Sequence, residues 1–259
     1  MLSRDFTLKK YQELCEAITA SECASLRVVD YFKNGTDKFI IIRHDVDREA
    51  ENALKIAQIE HAYGLLSTYY FRKTKEVFIP SIIKKISGLG HEIGYHYEVL
   101  DKTNGDVNKA IKLFEEELDE FRALVKVETI CMHGNPLKSW CNKDIWQSYN
   151  FHDFRIIGEP YLSIDYTKVL YLSDTGRRWD GRYNVKDLEI NNLYKIRNTN
   201  DLINLIKNGK IGCVFLTTHP NRWNDDFTSW SKELIFQNLK NLGKAGILFY
   251  RTLMNNSLH

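Results

Sequence analysis

Lys38-Phe39-Ile40-Ile41-Ile42-Arg43-His44-Asp45-Val46-Asp47 is an unbroken apolar run that ends abruptly in four ionisable residues within five positions. A run with no polar alternation is what a parallel strand buried on both faces requires. The polar cluster then falls at the strand's C-terminal end. In parallel α/β architectures that end opens onto the ligand-binding face.

The same alternation continues outward from this stretch. Before it, Leu8, Tyr11, Leu14, Cys15 and Ile18 share one stripe of a helix over about 7–20. After it, a helix over about 48–63 is stopped at Gly64, where a left-handed residue costs least. Strands follow at Leu66–Phe71, His91–His96 and Val127–Met132, with helices over 77–87 and 106–124 between them. Later strands are expected at Val169–Leu172 and Ile211–Thr217, helices at Leu202–Lys207 and about 230–242, and a last strand at Gly246–Tyr250. Strand–helix alternation through the whole chain implies an α/β barrel or a doubly wound sheet.

Bulk composition excludes several classes. The chain has 259 residues, 43% apolar and 27% charged, an ordinary balance for a globular protein. Its formal charge of +2 gives no electrostatic ground for nucleic acid or an anionic membrane as partner. No run approaches the roughly 18 apolar residues of a membrane span. The first residues carry no apolar signal-peptide core, so a cytoplasmic location is expected. Cys15, Cys23, Cys131, Cys141 and Cys213 are odd in number and lack C-x-x-C spacing, which favours reduced thiols over a disulfide frame. Four prolines and no linker-like stretch favour one domain.

Polar residues recur at the expected strand ends: Asp45 and Asp47, then His96 and Glu98, His133 with Asn135, Asp174 with Arg177, Arg178 and Trp179, and finally His219. Helix capping by Asp47 and core burial of His96 or His133 are the plain alternatives. His91 and His96 do not form a zincin pair, because they stand five apart rather than four and Gly94 favours a strand. Carboxylates with imidazoles suit a divalent transition metal that polarises a carbonyl. A further carboxylate can accept a proton from water, and a histidine can protonate a leaving amine. Amide hydrolysis uses all three parts. The absence of a Gly-rich phosphate loop argues against phosphoester chemistry.

Arg43-His44-Asp45-Val46-Asp47 together with Gly90-His91-Glu92-Ile93-Gly94-Tyr95-His96 resembles the first two motifs of the polysaccharide deacetylase superfamily. The likeness spans about residues 37–136 and is strongest to the intracellular branch associated with bacterial surface-polysaccharide biosynthesis. It implies a distorted (β/α)7 barrel over residues 1–259, the N-terminal helix packed on it, and a divalent metal, most often Zn2+, at its mouth. It implies Asp45 as general base, Asp47 and His96 as metal ligands, and His219, in Leu216-Thr217-Thr218-His219, as general acid. Asp174 and Trp179 resemble what remains of a motif that orients that acid. The chain departs from the pattern at Leu100, where the superfamily places its third ligand. His133 is the favoured replacement; Glu98 in its place, or loss of the metal, are the alternatives.

The function expected is therefore metal-dependent removal of an N-acetyl or other N-acyl group from an amino sugar, free or nucleotide- or lipid-linked. Arg177, Arg178, Trp179, Glu98 and Asn135 are candidates for substrate binding. Arg177, Arg178 and Arg222 are suited to a phosphate, and Tyr69, Tyr70, Tyr97, Trp179, Trp223 and Trp230 to sugar stacking or core packing. The competing readings are a sugar-binding relative without metal and a metal-independent amidase acting through Asp45, His133 and His219.

Overall fold

The computed structural model describes residues 4–184, 194, 196–209 and 211–256, with side chains as far as residue 246. Along the chain run α1 (Leu8–Thr19), β1 (Ala24–Leu26), α2 (Val28–Asn34), β2 (Phe39–Val46), α3 (Ala50–Ala62), β3 (Thr68–Phe71), α4 (Pro80–Gly88) and β4 (Glu92–Tyr97). They continue with α5 (Val99–Lys102), α6 (Val107–Arg122), β5 (Ile130–Met132), α7 (Pro160–Ser163), β6 (Leu170–Ser173), α8 (Thr199–Lys207), β7 (Cys213–Thr218) and α9 (Phe227–Asn256).

Every residue of β2 is buried, as its unbroken apolar pattern requires. All strand pairs are parallel, in the order β5-β4-β3-β2-β7-β6. Strand β7 takes one edge of β2 from Phe39 to His44. The other edge is shared: β1 pairs Phe39–Ile41 and β3 continues from Arg43 to Val46.

Side-chain alternation along β2 separates two cores. Ile40, Ile42 and Val46 join Tyr11, Leu14, Ala53 and Ile56 of α1 and α3 in the larger core, on the helix side. Phe39 and Ile41 face the other way, into a smaller core with Tyr70, Cys131, Tyr171 and Phe215. That inner core draws on β2, β3, β5, β6 and β7, so the sheet is curled around it. In a flat sheet β5 and β7 would stand on the order of 19 Å apart, four strand spacings. Instead His133, after β5, and His219, after β7, lie 3.7 and 3.9 Å from the carboxylate of Asp47. The α/β class and the distorted barrel thus take the form of a parallel sheet curled into a part barrel. Gly158 adds a parallel bridge to Thr129 beside β5, and no pairing joins that segment to β6 among the described residues.

Two glycines explain themselves. Gly64 has φ +69°, the left-handed conformation that closes α3. Gly94 faces the barrel interior, where a Cβ would overlap the Tyr70 ring and come within 3.0 Å of the Thr129 carbonyl.

The stretch at Gly246–Tyr250, expected as a strand, lies inside α9. A short apolar run fits a helix face as well as a strand, and only the surrounding helix decides. β1 and α2 were not legible either: Ala24-Ser25-Leu26 is half exposed and three residues long. No described helix is long and apolar enough to cross a membrane.

Candidate functional site

The C-terminal ends of β2, β4, β5 and β7 open onto a cavity of about 520 Å³ lined by Asp45, Asp47, His96, His133, Asn135 and His219, among others. Asp45 extends from β2 itself, two residues after Arg43 and hence on the same inner face. Arg43 is fully buried and grips both carboxylate oxygens, Nε to Oδ1 at 2.7 Å and a terminal nitrogen to Oδ2 at 2.6 Å. Burial would raise the Asp45 pKa, but Arg43 outweighs it and holds the carboxyl below its ordinary value.

Asp47 sits just past the strand. It does not cap α3, whose N-cap is Glu49. Its Oδ1 is buried and accepts no hydrogen bond. It stands 3.6 Å from His96 Nε2 and 3.7 Å from His133 Nε2. Burial opposes its ionisation, yet His133, His219 and Arg72 hold it well below the carboxylate range.

His96 Nδ1 donates to the Cys131 carbonyl at 3.0 Å, which leaves the Nε2 lone pair directed at the two aspartates. Burial lowers its pKa to about 4, so the ring is neutral at pH 7. A lone pair facing carboxylates is repulsive unless a cation lies between them. His133 meets its ring edge-on, centroids 5.4 Å apart. His133 Nδ1 lies 3.3 Å from Glu98 Oε2, behind it, so Nε2 points toward Asp47.

Two atoms each about 2.0–2.2 Å from one tetrahedral ion stand about 3.3–3.6 Å apart. The Asp47–His96 and Asp47–His133 separations are close to that, and the unpartnered Asp47 Oδ1 is a donor atom with nothing yet to bind. His96 is braced from behind through its other nitrogen, as metal-ligating histidines are, while His133 Nδ1 faces Glu98 without a hydrogen bond. Asp45, His96 and Cys131 also bring one donor atom each within 4.8 Å of one another. Asp47 faces both His96 and His133, but the three donor atoms are not all within that distance of one another, whereas both oxygens of Asp45 are already bound by Arg43.

The opposite wall is built by Asp174. It is fully buried and accepts from the His219 backbone N–H at 3.0 Å, from His219 Nδ1 at 2.7 Å, from Trp223 Nε1 at 3.0 Å and from Arg222. Burial would raise its pKa; Arg222 and His219 bring it down to about 2. The aspartate fixes the His219 ring, whose Nε2 reaches the cavity 3.9 Å from Asp47 Oδ2.

Several sequence expectations need correction. Trp179 is fully buried against Phe6 and Trp223 and donates to Thr199, so it neither lines the cavity nor touches Asp174. Trp223 supplies that indole contact instead. Arg178 is paired with Asp180, and Arg177 is packed between Phe6 and Trp230; neither lines the cavity. Glu98 is not at the substrate surface: it binds Arg72 at 2.6 Å and backs His133. Tyr69, Tyr70, Tyr97 and Trp223 are core residues, and Tyr161 is the Phe, Tyr or Trp that lines the cavity among the described residues. Leu100 is buried in the apolar core on α5. Asn135 does line the cavity.

Sequence reasoning overlooked Arg43, although its i, i+2 spacing to Asp45 on a strand was the available signal. It also missed a buried network on the helix side. Glu60 accepts from Tyr11 at 2.6 Å and Tyr69 at 2.5 Å, and lies 2.8 Å from His44 Nε2. His44 Nδ1 is 2.6 Å from Thr218 Oγ1, which ties the ends of β2 and β7 beside Asp45 and His219.

Comparisons with known proteins add little. No protein-family model and no curated protein matches the chain. A crystal structure of the Xyl-CE4 domain of a multidomain xylanase, from the hindgut metagenome of Trinervitermes trinervoides, aligns over 80% of this chain and 85% of its own. Identity is 14% and the TM-score 0.40, too distant to carry residue roles from one chain to the other.

Proposed function

We propose that this chain is a metal-dependent, cytoplasmic hydrolase that removes an N-acetyl or other N-acyl group from an amino sugar in surface-polysaccharide biosynthesis. The observation that carries the reading is the meeting, in one cavity, of three separately braced groups: Asp45 on Arg43, the Asp47–His96–His133 donor set, and His219 on Asp174.

Asp47, His96 and His133 would hold the divalent ion, Zn2+ being suited to a carboxylate with two imidazoles. When bound, such an ion polarises an amide carbonyl and makes water easier to deprotonate. Asp45 is ionised and presents its carboxylate to the cavity, so it can take a proton from attacking water. Arg43 fixes both its oxygens, which sets the direction of approach. His219 delivers a proton from Nε2 to the departing amine nitrogen. Asp174, at Nδ1, holds the ring in the orientation that this needs.

The test is release of acetate from a panel of N-acetylated amino sugars by zinc-reconstituted protein. Turnover that disappears on chelation and falls at least about 100-fold in Asp45→Asn is the expected result. Zinc-loaded protein that releases no acyl group from any of them would overturn the reading.

A further inference from the structure

The donor set and the acid–base pair occupy one part of the cavity. Its wall on the α9 side is cationic. Arg48 follows β2, Arg222 follows β7 and Lys240 lies on α9, and all three line the same space. Arg48 is paired with Glu233 at 3.3 Å, which is also bound by Asn221, and Arg222 with Asp174. Arg222 gives one nitrogen to Asp174, while its Nε is buried with no hydrogen-bond partner. Lys240 has no carboxylate partner among the described residues. Its ammonium rests 4.3 Å from the Phe236 ring centroid, and the Arg48 guanidinium lies 5.0 Å from the same ring.

Cations drawn together around one recess repel each other, and an anion seated between them removes that cost. The Lys240 pKa registers the crowding: burial lowers it first, and Arg48 and Arg222 lower it further against the pull of Glu233. Arg72, paired with Glu98, and Lys244, one helical turn beyond Lys240, add to the same lining.

We propose that the substrate carries an anionic group, a phosphate ester or a carboxylate, bound by Lys240 and Arg48 with Arg222 behind them. The assignment rests on the amino-sugar hydrolase reading for the identity of the rest of the ligand, and on the cation cluster alone for the charge. Of the residues expected for a phosphate, it keeps Arg222 and replaces Arg177 and Arg178, which do not line the cavity, with Arg48 and Lys240.

Calorimetric titration of zinc-loaded protein tests it with three probes: a neutral N-acetylhexosamine, an N-acetylhexosamine 1-phosphate and an N-acetylhexosaminuronic acid. One anionic probe should bind at least about ten-fold more tightly than the neutral sugar, and which one does so identifies phosphate or carboxylate. Lys240→Ala and Arg48→Ala should each reduce that ratio by about ten-fold without loss of zinc. Lys240→Met, which keeps the apolar stem on Phe236, should do the same. Equal affinity for all three probes, no measurable binding of any, or a ratio that survives these substitutions overturns the site. Acetate release is scored separately. A charge preference lost in Lys240→Ala, with no acetate released by wild type, sinks the hydrolase reading and leaves the anion site standing. Acetate released equally from all three probes does the reverse.

Discussion

Asp174→Asn removes the buried charge that holds His219, Trp223 and Arg222 together. The carboxylate has two oxygens and accepts from two nitrogens of His219, from Trp223 and from Arg222. Asparagine keeps the shape but offers one oxygen, so some of these donors must face an NH2 group. Arg222 and His219 overcome burial to lower the carboxyl pKa from 3.8 to about 2. At 1.36 kcal/mol per unit this linkage is worth about 2.5 kcal/mol to the folded state. Because the folded-state pKa is the lower one, the contribution is complete above pH 3.8 and is lost as pH falls through about 2. The substitution should therefore cost about 2–4 kcal/mol at pH 7, once mismatched donors are included. For a chain of this size that is a Tm drop of about 5–15 °C. Urea unfolding of metal-free protein from pH 7 to pH 2 reads the effect without metal release. The difference between wild type and variant should shrink across the acid end. With zinc restored, kcat should fall by about 10³–10⁴, the scale set by loss of the orienting carboxylate in serine-protease triads. A variant within 0.5 kcal/mol of wild type at pH 7, with a parallel pH profile and kcat within about threefold, would refute the reasoning.

Metal content by mass spectrometry should show one zinc-like ion per chain in wild type and a loss in both His133→Ala and Asp47→Ala; retention in both would remove the donor set. Asp45→Asn should retain the metal and lose at least about 100-fold in kcat, because the ion does not depend on it and proton transfer does. It should also destabilise the fold by about 3–5 kcal/mol, since Arg43 then remains buried with its charge unmatched; unfolding within 1 kcal/mol of wild type would contradict that. Gly94→Ala should cost about 3 kcal/mol by forcing Tyr70 off its position, read as a lowered urea midpoint. Trp179→Phe should leave KM unchanged while lowering Tm, whereas a raised KM at constant Tm would return Trp179 to the substrate surface.

The candidate site residues were legible because parallel strands deliver their polar C-terminal residues to one face. That logic reached Asp45, Asp47, His96, His133, Asp174 and His219, and the structure brings all six to one cavity or its immediate backing. It failed for Arg177, Arg178 and Trp179, which lie only a few residues beyond a strand end. Past the strand the direction of a side chain is set by the local turn, and Arg177 sits at φ +56°, a conformation that strand-end reasoning does not anticipate. Glu60 escaped notice for a related reason. It lies in the last turn of α3, sixteen residues from His44, and becomes meaningful only when α3 lays it on the back of β2.

What the sequence determined by itself was the parallel α/β class, the strand on which the site is built, and the identity of the groups at its end. These follow from local periodicity and from the strand-end rule, both readable along one dimension. The tertiary structure alone decided how the groups are shared out: Arg43 with Asp45, Glu98 behind His133, Trp223 rather than Trp179 on Asp174, and the cations of α9 facing the cavity. Curling of the sheet brings β5 and β7 to a common aspartate across four strand spacings, and such long-range closure leaves no trace in residue spacing.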